Sequence, residues 1–401
     1  MDAALLDWVN LLIRWLHVIA GIAWIGSSFY FMWMDAGLKP GTPPEDGVQG
    51  ESWQVHGGGF YHMKKYLVAP GHMPETLHWF KWEAYTTWIS GFALLVVLYY
   101  AQAEIYLVDP AVMELTAWQA IAIGVVTLAL GWIVYDRMCK SPIGERPILL
   151  AAGVFALVGL SAWGYAQVFG GRGAYIHTGA LIGTIMVANV AMVIIPNQRV
   201  IVADLKAGRT PDPALGKAGK NRSVHNNYLT LPVVFIMISN HYPMTYAHPW
   251  NWAILIGIGV VGALVRHWFN LKNAGRASRG AWLWPASVAG MVVVIMVAGW
   301  RPEAVLPGGA ATADAAPPPA FEEVAAVVEQ RCASCHAAQP TQAGFTAPPG
   351  GVMFDTPRQI RDGAAQIHAQ AVATRAMPPG NLTGLTDEER TLLARWAAAE
   401  R

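Results

Sequence analysis

Eight stretches of mostly apolar residues, nearly all close to 20 long, recur along the chain and limit its fold more than any other feature. They cover residues 15–34, 79–101, 117–135, 147–169, 175–196, 228–239, 250–269 and 281–300. About 20 such residues in a helix cross the hydrocarbon core of a bilayer, where every backbone N–H and C=O must be bonded internally. The stretch at 228–239 is the shortest and contains Pro232, which removes a backbone donor and predicts a kink. Composition agrees, with 54% hydrophobic and 13% charged residues against about a quarter charged in soluble domains. A net charge of +1, with Lys and Arg gathered in loops, offers no basic face for nucleic acid. The bilayer is the expected partner.

Lys and Arg also set the orientation, because cytoplasmic loops carry an excess of both. With the N-terminus outside, the inner loops hold Lys39, Lys64, Lys65, Arg137, Lys140, Arg146, the cluster from Arg199 to Arg222, Lys272, Arg276 and Arg279. The outer loops ahead of the last stretch hold only Arg172. The first stretch follows Asp2 and Asp7 rather than a basic segment, so it reads as a retained helix and not a signal peptide. Eight crossings return the C-terminus to the outer side. The expected location is a bacterial inner (cytoplasmic) membrane, multi-pass, with the N-terminus and tail periplasmic.

The composition changes after Trp300. Residues 1–300 form the membrane part, 301–320 a Pro/Ala/Gly linker, and 321–401 a small helical domain. So short a domain gains from a cofactor staple. The tail contains Cys332-Ala-Ser-Cys335-His336, the C-x-x-C-H signature of covalent haem c attachment. Two thiols one helical turn apart reach both vinyl groups of one haem, and the adjacent histidine reaches its iron from the same side. Methionine is a common second axial ligand. Met377, held by Pro378 and Pro379, is preferred over Met353 for that role. Thr386 and Glu389 form a capping box for a last helix. The alternatives for the cysteine pair are a zinc or a redox motif. Cys139, the third cysteine, stands alone as an unremarkable thiol.

The segment 53–85 is unusually polar and aromatic. It holds His56-Gly57-Gly58-Gly59-Phe60-Tyr61-His62, then Lys64, Lys65 and His72, then His78, Lys81, Trp82, Glu83 and Tyr85. Glycines allow close backbone approach to a ligand, and a helix would put His78, Lys81, Trp82 and Tyr85 on one face. Charges at membrane depth usually face a cavity. Interfacial anchoring by Trp, Tyr and Lys is the plainer explanation. The membrane histidines fall in two layers: His17, His177, His241 and His248 outward, and His78, His225 and His267 inward. His17, His177 and His241 are candidate haem b ligands or functional groups. A lone helical histidine is more often structural.

At these residues the chain resembles the membrane-bound, cytochrome-c-fused urate oxidases, also called urate hydroxylases. The resemblance runs through Trp15-Leu16-His17-Val18-Ile19-Ala20-Gly21, Trp24-Ile25-Gly26-Ser27-Ser28-Phe29-Tyr30, His56 to Phe60, residues 77–91, Gly351-Val352-Met353-Phe354-Asp355-Thr356 and residues 377–390. It implies an all-α chain: an eight-helix transmembrane bundle followed by a small class-I-like cytochrome c domain. It also implies oxidation of urate to 5-hydroxyisourate in purine degradation, with electrons passing to haem c and not to hydrogen peroxide.

The chemistry of an anionic planar purine nominates His56, His78, Lys81 and Glu83 as catalytic groups. Phe60, Lys64, Lys65, Trp82 and Tyr85 are nominated for binding, with Lys81 as a base if burial lowers its pKa. One covalent haem c is held by Cys332 and Cys335 and ligated by His336 and Met377. A haem b relay is a further expectation, because the polar segment and the tail fall on opposite sides of a roughly 30 Å hydrocarbon core. The onward acceptor is a soluble cytochrome c or a terminal oxidase. The rival functions are a quinol–cytochrome c oxidoreductase and a non-enzymatic, haem-tethered redox sensor.

Overall fold

The computed structural model describes residues 3–66, 70, 73–300 and 318–400. His72 and most of the expected linker, 301–317, lie outside the described residues. The chain opens on α1 (Ala3–Gly37), one uninterrupted helix of 35 residues. Its Trp8, Leu12, Trp15 and Ile22 face outward and are exposed. In water that apolar stripe would be a large liability; in lipid it is the natural outer surface.

A hairpin follows, β1 (Val48–His56) paired antiparallel with β2 (Gly59–Tyr66). It is a departure from the all-α expectation. Its cause is the Gly57-Gly58 pair: φ is +57° and +81°, as a two-residue turn with positive φ at both central positions requires. Gly57 and Gly58 make the turn.

The remaining membrane part comprises α2 (Trp82–Leu95), α3 (Ala103–Tyr106), α4 (Ala117–Lys140), α5 (Pro147–Ala166), α6 (Gly171–Ala188), α7 (Ile195–Lys206), α8 (Pro213–Ser239), α9 (Pro243–Tyr246), α10 (Asn251–Asn273) and α11 (Leu283–Gly299). α2 runs on through a π turn at Val96–Tyr100, and α6 joins α7 through another at Asn189–Ile194. Among the described residues, six helices are long and apolar enough to cross a membrane: Leu5–Gly37, Ala117–Lys140, Pro147–Ala166, Gly171–Lys206, Asn251–Asn273 and Ala277–Gly299. The stretches at 79–101 and 228–239 do not reach that standard. The first becomes helical only at Trp82. The second is the C-terminal part of α8, which begins with the polar run containing Lys217, Lys220 and Arg222.

The Gly171–Lys206 helix is the centre of the bundle. Two thirds of its apolar window (67%) is buried, against 6% for α1. It packs on α2, α4, α5, α8 and α10. Its sequence fits that place, since a helix apolar on all sides belongs in a core.

The tail folds as α12 (Phe321–Arg331), α13 (Ala333–His336), α14 (Pro357–Asp362), α15 (Ala364–Ile367) and α16 (Asp387–Ala399). They close on a core of their own, with Val324, Val328, Leu393 and Trp396 at its centre. The Thr386–Glu389 capping box forms as expected, and Thr356 with Gln359 makes a second. Arg331 ties α12 to α16 by bonding Glu389 at 3.0 Å.

The tail rests on one end of the bundle. Thr346 Oγ1 donates to Asp7 Oδ2 at 2.9 Å. The loop at Gly380, whose φ is +54°, comes so near the Val108 carbonyl that a Cβ would lie 2.8 Å from its oxygen. At the other end, Asp35 pairs with Lys65 of the hairpin and with Lys220. Asp7 and Asp35 share α1 and so stand about 40 Å apart at roughly 1.5 Å per residue.

Candidate functional site

The tail's chemistry collects around one cavity of about 420 Å³, within the range of small-ligand and cofactor sites. Cys332, Cys335, His336 and Met377 all line it. The spacing explains the first three, because Cys332 caps α13 and the next turn carries Cys335 and His336. His336 Nδ1 donates to the Val352 carbonyl at 3.0 Å. That bond sets the tautomer and leaves Nε2 as the nitrogen able to face a metal. Arg390 donates to the Met377 carbonyl at 3.0 Å and also to Ala371 O and Asn381, which pins the methionine loop from below. Met353, the rival sulfur, is not on the cavity wall and is 36% exposed.

Burial, and then the neighbouring Cys335, push the Cys332 thiol up to about 11. Burial raises Cys335 as well. A catalytic C-x-x-C pair needs the opposite, a lowered thiol. Among the described residues no three His, Cys, Asp or Glu side chains are placed to hold a metal ion together, so a zinc site would lack ligands. Two thiols, an imidazole whose Nδ1 is already bonded and a thioether, all lining one cavity, fit a covalent haem c.

The cavity is not closed by the tail alone. Arg172, Asn240, His241, Pro243 and Tyr246, from the membrane part, complete its wall. Arg172 Nε donates to Asn240 Oδ1 at 3.3 Å, and its guanidinium lies 5.0 Å from the Tyr106 ring centroid. His241 therefore stands at the tail's cavity rather than inside the bundle.

The two other candidate haem b histidines are held by the protein. His177 is fully buried. Its Nδ1 donates to Gly173 O at 2.9 Å and its Nε2 accepts from Tyr100 at 3.2 Å. With both nitrogens engaged, this is the geometry of a structural histidine. His17 Nδ1 donates to Thr87 O at 2.9 Å, with Ser90 Oγ at 3.1 Å.

Among the described residues, the polar segment 53–85 is not gathered into one site. Lys64 pairs with Glu45 and Lys65 with Asp35, so both cations already have counter-ions. His62 stacks on Trp53 at 4.1 Å and bonds Glu51 at 2.7 Å. Phe60 is 77% exposed at the turn beside His56. His78 and Lys81 do not share a helix face with Trp82 and Tyr85, because α2 starts at Trp82 with Lys81 as its N-cap. His78 meets Phe80 edge-on at 4.7 Å, and Lys81 Nζ lies 5.8 Å from the Trp82 ring. Among the described residues no hydrogen bond, ion pair or ring contact joins the hairpin to His78, Lys81 or Glu83. Glu83 differs from the rest: its Oε2 is buried without a hydrogen-bond partner.

Some polar groups were not singled out from sequence. Arg222, Asp136, Asn189, Asn226, Tyr135 and His225 form a connected network between α4, the π turn after α6, and α8. Arg266 and Asn227 form a smaller one, in which Arg266 Nη2 and Asn227 Nδ2 lack partners. Asparagines inside apolar helices are the sequence signal for such networks. For Arg172 the signal was its isolation as the one outer-loop cation.

Helices that long and apolar, with apolar outer faces and polar networks turned inward, are the build of a multi-pass membrane protein. Residues 3–299 match the urate oxidase N-terminal family, and the chain belongs to that family. The membership points to a urate-related oxidoreductase. The matched region ends with the last membrane helix, ahead of the tail, and nothing among curated proteins or solved structures matches the chain.

Proposed function

We propose that this chain oxidises urate to 5-hydroxyisourate and delivers the electrons to a haem c bound covalently in its own tail, without making hydrogen peroxide. One juxtaposition carries the reading. The chain's urate oxidase family region and the Cys332–Cys335–His336–Met377 set line the same cavity. The reaction balances as urate monoanion plus water giving 5-hydroxyisourate, one proton and two electrons. A haem held there would supply one-electron acceptance, with a soluble cytochrome c or a terminal oxidase as the onward acceptor.

The chain's own residues have separate tasks in this scheme. Cys332 and Cys335 would anchor the group through thioether links, and His336 would present Nε2 because Nδ1 is committed to Val352. Met377 offers its sulfur from a loop held by Arg390. The membrane part crosses the bilayer eight times and seats the tail on its periplasmic end. With substrate meeting the acceptor on the tail's side of the membrane, this scheme needs no haem b relay.

Anaerobic addition of urate to purified membranes tests the proposal. The reduced haem band is expected to appear, and mass spectrometry is expected to find porphyrin on the peptide carrying Cys332 and Cys335. Reduction by a quinol analogue but not by urate would make the chain a quinol–cytochrome c oxidoreductase. No reduction by either, with dithionite still effective, would leave only a redox sensor.

A further inference from the structure

We propose that the substrate anion binds at the membrane wall of the tail's cavity, on Arg172 with Asn240, His241 and Tyr246, and not in the polar segment 53–85. This rests on the urate-to-haem reading and gives it a place. Charge is the first argument. Among the residues lining the cavity there is no Asp or Glu, while Arg172, Arg331 and His241 are present. Arg331 is neutralised by Glu389. Arg172 has no carboxylate within ion-pair distance among the described residues. It sits in the first turn of α6, where the helix dipole already concentrates positive charge. A partly buried guanidinium at that end of a helix, without a counter-ion, is electrostatically incomplete until an anion arrives.

Hydrogen bonding is the second argument. Asn240 Oδ1 accepts from Tyr99 at 3.2 Å and from Arg172 Nε at 3.3 Å. An amide oxygen has two lone pairs, so what Asn240 can still offer is its N–H donors. Arg172 keeps further N–H donors beyond Nε, and Tyr246 adds an aromatic face. Donors and a ring suit a planar anion bearing several carbonyl oxygens. Tyr106 lies under the Arg172 guanidinium, and Arg172 and Cys335 line the same cavity. Substrate there needs no path through the bilayer, whereas the hairpin lies at the opposite end of α1.

The test uses the full-length, haem-loaded protein in detergent or nanodiscs, with urate as the probe. Arg172→Gln is expected to raise the KM for urate about ten- to a hundredfold, the range of a charged hydrogen bond. Haem content and midpoint potential should stay unchanged, and Arg172→Lys should recover part of the loss. Lys64→Gln in the hairpin should leave KM as it was. Three outcomes would overturn the proposal. One is an unchanged KM in Arg172→Gln. Another is a shifted midpoint potential with KM intact, which would make Arg172 a partner of the haem propionates. The third is a KM rise in Lys64→Gln of the same size. If wild-type haem is not reduced by urate at all, the parent reading fails instead.

Discussion

Arg222 Nη2 meets Asp136 Oδ1 at 2.7 Å, with the two side chains only 5% and 14% exposed. This ion pair links α8 to α4 at the end of the bundle far from the tail. The arrangement is asymmetric, because Lys140 also bonds Asp136, at 2.7 Å, from an exposed position. Removing Arg222 leaves the carboxylate neutralised by Lys140. Removing the carboxylate strands a buried guanidinium.

Asp136→Asn is therefore expected to destabilise the protein by about 3–5 kcal/mol, the usual range for orphaning a buried charge. Arg222→Met should cost less. The double variant should recover part of the Asp136→Asn loss. Thermal unfolding in detergent reads all three, and equal losses in the two single variants would remove the asymmetry argument.

Glu389 gives the tail a pH dependence of known sign. Burial alone would raise its carboxyl, but hydrogen bonds from Arg331 and the Thr386 N–H outweigh it and hold the pKa below the ordinary 4.5. A depressed folded-state value contributes stability that is full above the unfolded pKa and is lost as pH falls through the folded one. Tail stability should thus decline as pH drops below about 4.5, and Glu389→Gln should flatten that decline. Denaturation followed through the haem Soret band from pH 6 downward, roughly the span in which such a carboxylate titrates, measures it.

Met377 and Met353 are separable. Met377→His should lower the haem midpoint potential, because thioether ligation raises it. Met353→Leu should leave the potential alone, since that side chain lies off the cavity wall. A potential that moves with Met353 and not with Met377 would reverse the ligand assignment.

The hairpin turn is structural. Gly57→Ala and Gly58→Ala each force a side chain into positive φ, at roughly 1–2 kcal/mol per residue. They should loosen the hairpin, seen as faster proteolysis near residue 57, while urate-driven haem reduction continues at its normal rate. A matching fall in that rate would return the hairpin to the substrate site.

Much of the membrane part could be read from local pattern. A lipid-facing helix announces itself by length and apolarity, and α4, α5, α10 and α11 fall close to the expected stretches. The weaker two of the eight could not be settled that way. Whether α2 begins at Trp79 or Trp82, and how α8 mixes a polar run with an apolar one, depends on neighbours. The hairpin is hidden by the polar and aromatic residues of its strands, which suit a ligand site as well as a strand, although the Gly57-Gly58 pair is a turn signal.

The sequence by itself determined the apolar helices, the spacing of Cys332, Cys335 and His336, and the capped last helix. Each rests on residues a few positions apart along one element, where geometry follows from covalent neighbours. Only the tertiary structure decided that Met377, and not Met353, shares the cysteines' cavity, that Lys64 and Lys65 are already paired, and that Arg172 is not. Those are relations between residues tens to hundreds of positions apart, and folding alone fixes which charges meet a partner and which are left facing a cavity.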